Sequence, residues 1–307
     1  MPNHCDVVIV NFNAGGFLTR AVISVLRSKS VAHVYVVDNA STDESLDLLP
    51  EGHNDRLSII RNTANLGFAS ACNLGLKRAV SENMLLLNPD CRVKDGAVDH
   101  LITALRSVDH IGMVGPLLIN GDGSEQVGGR RKLPTPSLVL AATLRRLLGF
   151  RSLDFLLNHD PLPEGPVDVE AISGACMMVR REMITDIGLL DEGYFLHCED
   201  LDWCMRVWRG DWKVLFVPDA KVVHHKGICS RTRPLAVEYY KHVGMVRFYG
   251  KLLGQTYPRW LVALVAVGVW TRFGGITALH LFSQLSKRLR GNKVDCGQAD
   301  DAAARVY

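Results

Sequence analysis

The first 120 residues alternate short apolar, β-branched runs with stretches whose apolar positions recur at helical spacing. Asp6-Val-Val-Ile-Val10, His33–Val37, Leu57–Ile60 and Met84–Leu87 predict four strands, with a fifth inside Ile111–Ile119. After the first of them, Phe17, Leu18, Ala21, Val22, Val25 and Leu26 trace one face of a helix. Helices are also predicted over 44–49, 67–80 and 95–107, the first opened by Ser41-Thr-Asp-Glu44 with the spacing of a capping box. Beyond Gly128 the pattern blurs: basic residues, prolines and an apolar-basic run over 138–157 read as an insertion (128–166) lying over the sheet. Order resumes with a strand over 171–180, helices over 181–187 and 199–209, and a strand over 213–217. Strands alternating with helices predict an α/β fold, a mostly parallel sheet with helices on both faces.

Composition changes this picture only when it is divided along the chain. The 307 residues carry a net charge of +3, but residues 1–230 hold 23 basic against 28 acidic side chains. Residues 231–294 hold 11 basic side chains against one acid, Glu238. A slightly acidic body is joined to a strongly basic extension, which suggests an anionic surface as partner and gives the body no reason to bind nucleic acid. The eight cysteines show no paired or zinc-type spacing and read as reduced thiols. No basic-then-apolar leader opens the chain, so no signal peptide is expected.

Ligands of open α/β sheets sit outside the carboxyl ends of the strands. The polar residues at those ends are Asn11 and Asn13, Asp38 and Asn39, Arg61 and Asn62, then Asn88 and Asp90. Any one of them alone reads better as a turn former or helix cap; four ends facing one edge together reverse this and read as a site. Asp38 is placed to accept hydrogen bonds from a nucleoside, and Asp90 suits a hard divalent cation bridging phosphate oxygens. The glycine pattern of a dinucleotide site and the lysine of a P-loop are both missing. Glu199, Asp200 and Asp202 cluster at a predicted helix start behind an apolar approach, which is equally good capping or the making of a general base. His224 ends the last apolar run and, with Asp90, could complete a metal site.

Taken in order, the motifs are Val8-Ile-Val-Asn-Phe-Asn13, Val36-Val-Asp-Asn-Ala-Ser-Thr-Asp43, Asn62-x-x-Asn65-x-Gly67-Phe-Ala and Leu85-Leu-Leu-Asn-Pro-Asp90. Ser173-Gly-Ala-Cys-Met-Met-Val-Arg-Arg181, Glu199-Asp200 and Val217-Pro-Asp-Ala-x-Val-x-His224-x-x-Gly227 follow. Together they resemble family 2 glycosyltransferases, in particular the bacterial rhamnosyltransferase-like branch, over roughly 6–230. The resemblance implies a GT-A fold and inverting transfer from a nucleotide-diphosphate sugar, with L-rhamnose from dTDP-rhamnose as the first expectation. It implies Asp200 as catalytic base with Glu199 beside it, and a nucleotide pocket drawn from Asn11, Asn13, Asp38, Asn65 and Asn88. Asp90 would bind the metal, Mg or Mn, with His224 as second ligand. The motif reads Asn88-Pro-Asp90, so the first carboxylate of the usual pair is missing. Glucose, galactofuranose or N-acetylglucosamine as the sugar, or a non-catalytic binding scaffold, are the competing readings.

Trp260–Phe282 holds sixteen apolar residues, three glycines and one charge, Arg272. Its length just spans a bilayer core of about 30 Å. Basic residues flank both ends, so the segment is expected to form a hairpin or interfacial element broken near Arg272–Gly275. That would hold residues 1–230 as a catalytic domain at the cytoplasmic face of the inner membrane, with residues 231–307 as a helical extension. A glycan or polyprenyl-linked acceptor fits this placement. A soluble helical pair, packed on the core or on a second copy, is the alternative.

Overall fold

The computed structural model describes residues 3–50, 55–135, 138, 156–225, 227, 234–254 and 257–303. The chain divides into two compact units, Met1–Thr232 and Arg233–Tyr307. The first is built on a nine-stranded sheet in the order β3-β2-β1-β4-β10-β6-β11-β5, with β8 pairing on β11. The strands are β1 (Cys5–Asn11), β2 (Val31–Asp38), β3 (Leu57–Arg61), β4 (Asn83–Leu87), β5 (Cys91–Val93) and β6 (Ile111–Ile119). Then come β7 (Arg130–Arg131), β8 (Val167–Asp168), β9 (Ala171–Ile172), β10 (Cys176–Arg180) and β11 (Lys213–His224). Pairing is parallel from β3 through β2 and β1 to β4, and again between β6 and β11. The strand β10 runs antiparallel between β4 and β6, while β7 and β9 form a separate two-stranded ribbon.

Alternation along the strands divides the core into two. In β1, Val7 and Ile9 face α1 (Gly16–Leu26) and α3 (Ala97–Arg106), whereas Val8 and Val10 face α2 (Phe68–Arg78) and α5 (Glu199–Arg209). The short α4 (Arg181–Ile187) closes the second face through Met183. Gly75 of α2 lies so close to β1 that a Cβ there would meet Val8 Cγ1 at 2.3 Å. This places α2 tightly over β1 and β2, with its N-terminal end at the same sheet edge as Asn11 and Asp38.

Several sequence expectations need correction. Residues 44–49 form turns rather than a helix. The capping side chains are committed elsewhere: Ser41 and Ser45 accept from Asn11, and Asp43 accepts from the Gly15 N–H. The run 171–180 is two strands separated by a turn at 173–175, and 213–217 continues through an irregularity at 218–220 to His224. Of the 128–166 segment, Arg130–Arg131 belongs to the β7–β9 ribbon, and residues 139–155 lie outside the described residues.

A further correction concerns the second unit. Its helices are α6 (Pro234–Leu253) and α7 (Arg259–Ala303), and α7 runs unbroken through Arg272–Gly275. Glycine weakens a helix interior by only about 1 kcal/mol relative to alanine, and the sole nearby proline, Pro258, precedes the helix. The two helices pack on each other through Tyr239, His242, Trp270 and Phe273. Arg272, the one charge in the apolar stretch, donates to His242 Nε2 at 3.1 Å, while His242 Nδ1 donates to the Glu238 carbonyl at 2.6 Å.

Candidate active site

The carboxyl ends of β1 and β2 meet through side chains. The buried Asn11 amide donates to Asp38 Oδ1 at 2.8 Å and also faces Ser41 and Ser45. Asp38 accepts from the Ser41 N–H through its other oxygen, and Asn13, at φ 53°, accepts from the Thr42 N–H. Asn11 Oδ1 is buried with no protein partner among the described residues, an acceptor left for a ligand or water. Asn65 joins the same edge through Asn39, whose amide donates to Asn65 Oδ1 and to the Gly67 carbonyl. Gly67 must be glycine: its φ is +86°, and a Cβ would lie 2.8 Å from the Phe195 carbonyl oxygen. Four of the five expected nucleotide residues are thus linked. Asn88 stands apart at the end of β4, where its N–H donates to the Ala175 carbonyl at 2.8 Å.

Two residues after Asn88, Asp90 turns inward and meets His224 from the end of β11. Their closest atoms, Asp90 Oδ1 and His224 Nε2, are 3.3 Å apart, and both residues are buried. Cys91 lies in the same group, but burial pushes its thiol well up and its Sγ donates to the Ala175 carbonyl, so it is a poor ligand. His224 Nδ1 faces Gln126 Oε1 at 2.6 Å and therefore carries a hydrogen. Nε2 is then the ring atom left facing a carboxylate oxygen, and an imidazole nitrogen opposite a carboxylate suits a cation. Imidazole with carboxylate is a donor set that accepts Mg or Mn. A cavity of about 310 Å³ opens beside Asp90, lined by Phe17, Arg20, Arg92 and His225.

The acidic cluster at the start of α5 separates into three different groups. Asp202 is fully buried between Tyr194 and Arg206, a packing role. Burial alone would raise the Asp200 carboxyl, but Arg131 at 2.5 Å and the Gly174 N–H hold it below its usual range. Glu199 goes the other way: burial, reinforced by the charge on Asp200, pushes it up to about 8. Its Oε2 has no partner among the described residues. The upward shift that an apolar approach can produce therefore falls on Glu199, and Asp200 is the one kept ionised.

One short turn connects these groups. Within Ser173-Gly-Ala175, the Gly174 N–H donates to Asp200, while the Ala175 carbonyl accepts from Asn88 and Cys91. The acid at the end of β4 and the acid at the start of α5 are thus bridged by adjacent residues. Sequence reasoning did not single out Arg131, Gln126 or Ser45. Arg131 was one basic residue among several in a blurred stretch, and nothing local marked Gln126. Ser41 reads as the opening of a capping box, which is also how a loop-bracing serine looks.

The profile of the family described as "Glycosyl transferase family 2" matches residues 6–188. The chain is 28% identical over 241 residues to N-acetylglucosaminyl-diphospho-decaprenol L-rhamnosyltransferase of Mycobacterium tuberculosis, covering 74% of this chain and 77% of that protein. It is 23% identical to the dTDP-rhamnosyl transferase RfbF of Shigella flexneri over 76% of this chain and 75% of that one. Among solved structures, GalNAc-T7 with UDP, GalNAc and Mn2+ superposes with a TM-score of 0.56 at 24% identity, over 72% of this chain and 43% of that chain. The mannosyltransferase PcManGT from Pyrobaculum calidifontis, in complex with GDP-Man and Mn2+, gives 0.55 at 16% identity, over 82% and 65%. Both structural likenesses concern the fold, which is of the GT-A type.

Proposed function

Because the chain belongs to glycosyl transferase family 2, we propose that it transfers L-rhamnose from dTDP-rhamnose, with inversion, to a polyprenyl-linked or envelope glycan. The observation that carries this reading is the Ser173–Ala175 turn, which joins the Asn88–Asp90 strand end to Asp200. One turn thereby joins the proposed cation-binding acid and the ionised base, on the sheet edge that also carries Asn11 and Asp38. The names of the relatives in M. tuberculosis and S. flexneri support rhamnose as the sugar.

In this reading the nucleoside lies against Asn11, Asn13, Asp38 and Asn65, where Asn11 Oδ1 is an acceptor on offer. Asp200 takes the proton of an acceptor hydroxyl. The hydroxyl oxygen then attacks the anomeric carbon from the face opposite the diphosphate, and the carbon–oxygen bond to the diphosphate breaks. When bound at Asp90 and His224, Mg or Mn supplies positive charge for the leaving diphosphate. Arg131 keeps Asp200 ionised, and Glu199 stays protonated beside it. The apolar helix α7 and its basic flanks hold the enzyme against anionic lipid at the cytoplasmic face, where a lipid-linked acceptor is presented.

A panel of nucleotide sugars, run with acceptor and with or without divalent metal, tests the reading. Transfer from dTDP-rhamnose that stops in Asp200→Asn, while donor binding stays within about threefold, is the expected result for a residue acting only in the chemical step. Transfer from another donor alone overturns the choice of sugar. Normal turnover by Asp200→Asn removes the base, and a silent panel favours a binding scaffold.

A further inference from the structure

We infer that Gln126 is a positioning residue for the cation site: its amide oxygen fixes the His224 imidazole in the Nδ1–H form and so keeps the Nε2 lone pair directed at Asp90. The inference rests on the reading of Asp90 and His224 as a cation pair and goes one shell beyond it.

The direction of the Gln126 amide is decided by its partners. Its side chain is buried, with the residue 4% exposed. Nε2 lies 3.0 Å from the His224 carbonyl oxygen and 3.0 Å from Asn120 Oδ1. A carbonyl oxygen only accepts, so the amide atom facing it is the nitrogen. Oε1 is then the atom 2.6 Å from His224 Nδ1, and an amide oxygen also only accepts. The hydrogen of that contact belongs to Nδ1. Without this acceptor the neutral ring is free to place its hydrogen on Nε2, the atom 3.3 Å from Asp90 Oδ1, where it would bond the carboxylate and block the cation.

The backbone holds Gln126 for this task. Its N–H donates to the Leu118 carbonyl at 2.8 Å, Ile119 bridges Glu125, and Asn120–Gly123 closes the intervening turn. One side chain therefore grips both the ring and the backbone carbonyl of a residue 98 positions away. The same clamp sets the ring's rotation and its hydrogen, the two properties that a histidine ligand needs defined.

The test uses the full chain stripped of metal with a chelator and labelled with 15N in histidine. Two-bond proton–nitrogen spectra read the tautomer of His224, assigned by its loss in His224→Gln, and a calorimetric titration reads Mn2+ affinity. The wild type should show Nδ1–H. In Gln126→Leu the Nε2–H form should appear and Mn2+ should bind about 10–100-fold more weakly, the usual cost of removing an outer-shell partner. Gln126→Glu keeps an acceptor against Nδ1 but gives up the donor to the His224 carbonyl, so it should return the Nδ1–H form with an Mn2+ affinity between those of the leucine variant and the wild type. A wild-type chain in the Nε2–H form overturns the inference whatever the variants do. So does Gln126→Leu with unchanged Mn2+ affinity while Asp90→Asn loses it. If Asp90→Asn and His224→Gln both bind Mn2+ as the wild type does, the cation site itself falls, a failure distinct from that of Gln126. Should the leucine variant lack a cooperative melt, the wild-type and glutamate spectra decide.

Discussion

Burial alone would push the Asp200 carboxyl up, and it is the Arg131 guanidinium that reverses the sign. A carboxylate with a depressed value adds stability above its unfolded pKa, about 3.9, and that contribution is lost as pH falls through the folded value. In Arg131→Met the upward push of burial should prevail, so the acid limb of kcat/KM should move to higher pH. Stability at neutral pH should fall by about 3–5 kcal/mol, the cost of leaving a buried charge unpaired. The loss should shrink as pH falls through the lowered value of the folded wild-type carboxyl, below which Arg131 no longer has a charge to pair. A pH–rate profile with parallel denaturant melts checks both, and an unmoved acid limb would separate Asp200 from the proton transfer. At this scale the sequence was informative where chemistry is local. Asn11, Asp38 and Asp90 stand at the ends of apolar runs, and turn chemistry draws attention to them. Arg131 and Gln126 act on residues 69 and 98 positions away, and no local pattern encodes such a partner.

Among elements, the periodic segments were the legible ones. The apolar runs at 6–10, 33–37, 57–60 and 84–87 are the cores of β1 to β4, because alternate side chains had two helix layers to face. The 44–49 helix was misread because Ser41, Asp43 and Ser45 had a second use, bracing the loops after β1. The break expected at Arg272–Gly275 was misread for a related reason: a lone arginine reads as unfavourable in an apolar helix until His242 is seen beside it. Close packing of α2 is the element-scale feature with a measurable consequence. Gly75→Ala puts a methyl carbon within 2.3 Å of Val8 Cγ1 and within 3.2 Å of Val37 Cγ2. An overpacked core of this kind should cost about 1–3 kcal/mol in urea unfolding. Donor affinity should weaken too, since Gly67, the N-cap of α2, accepts from Asn39 beside the Asn39–Asn65 bond. An unchanged urea midpoint would mean that β1 yields freely.

Over the whole molecule the charge division and the apolar helix belong together. Arg259–Ser286 is long and apolar enough to cross a membrane, with a mean hydropathy of 1.6, and only 6% of its most apolar window is buried. Leu264, Val267, Leu279, Phe282 and Leu285 are all more than half exposed. The basic side chains Lys287, Arg288, Arg290 and Lys293 fall outside the described side chains, and the charge argument for them rests on the sequence. Full-length protein should float with vesicles containing phosphatidylglycerol and much less with phosphatidylcholine alone. Leu279→Glu with Phe282→Glu should lower the bound fraction about tenfold or more, two charges on the buried face of an interfacial helix being strongly unfavourable. Unchanged flotation of the double variant would assign the exposed face to another partner, such as a second copy of the chain.

The sequence by itself determined the α/β class, the strands nearest the N-terminus, the family and the division into an acidic body and a basic apolar extension. Each of these is set by periodicity, composition or a motif of adjacent residues, and such properties survive without knowledge of distant contacts. The tertiary structure decided which of the clustered acids stays ionised, which atom of His224 faces Asp90, and that the apolar helix runs unbroken through Arg272–Gly275. Those outcomes depend on Arg131, Gln126 and His242, residues brought in from elsewhere in the chain. Burial raises the stakes of every such pairing, because a buried charge or lone pair takes its character from the one partner within reach.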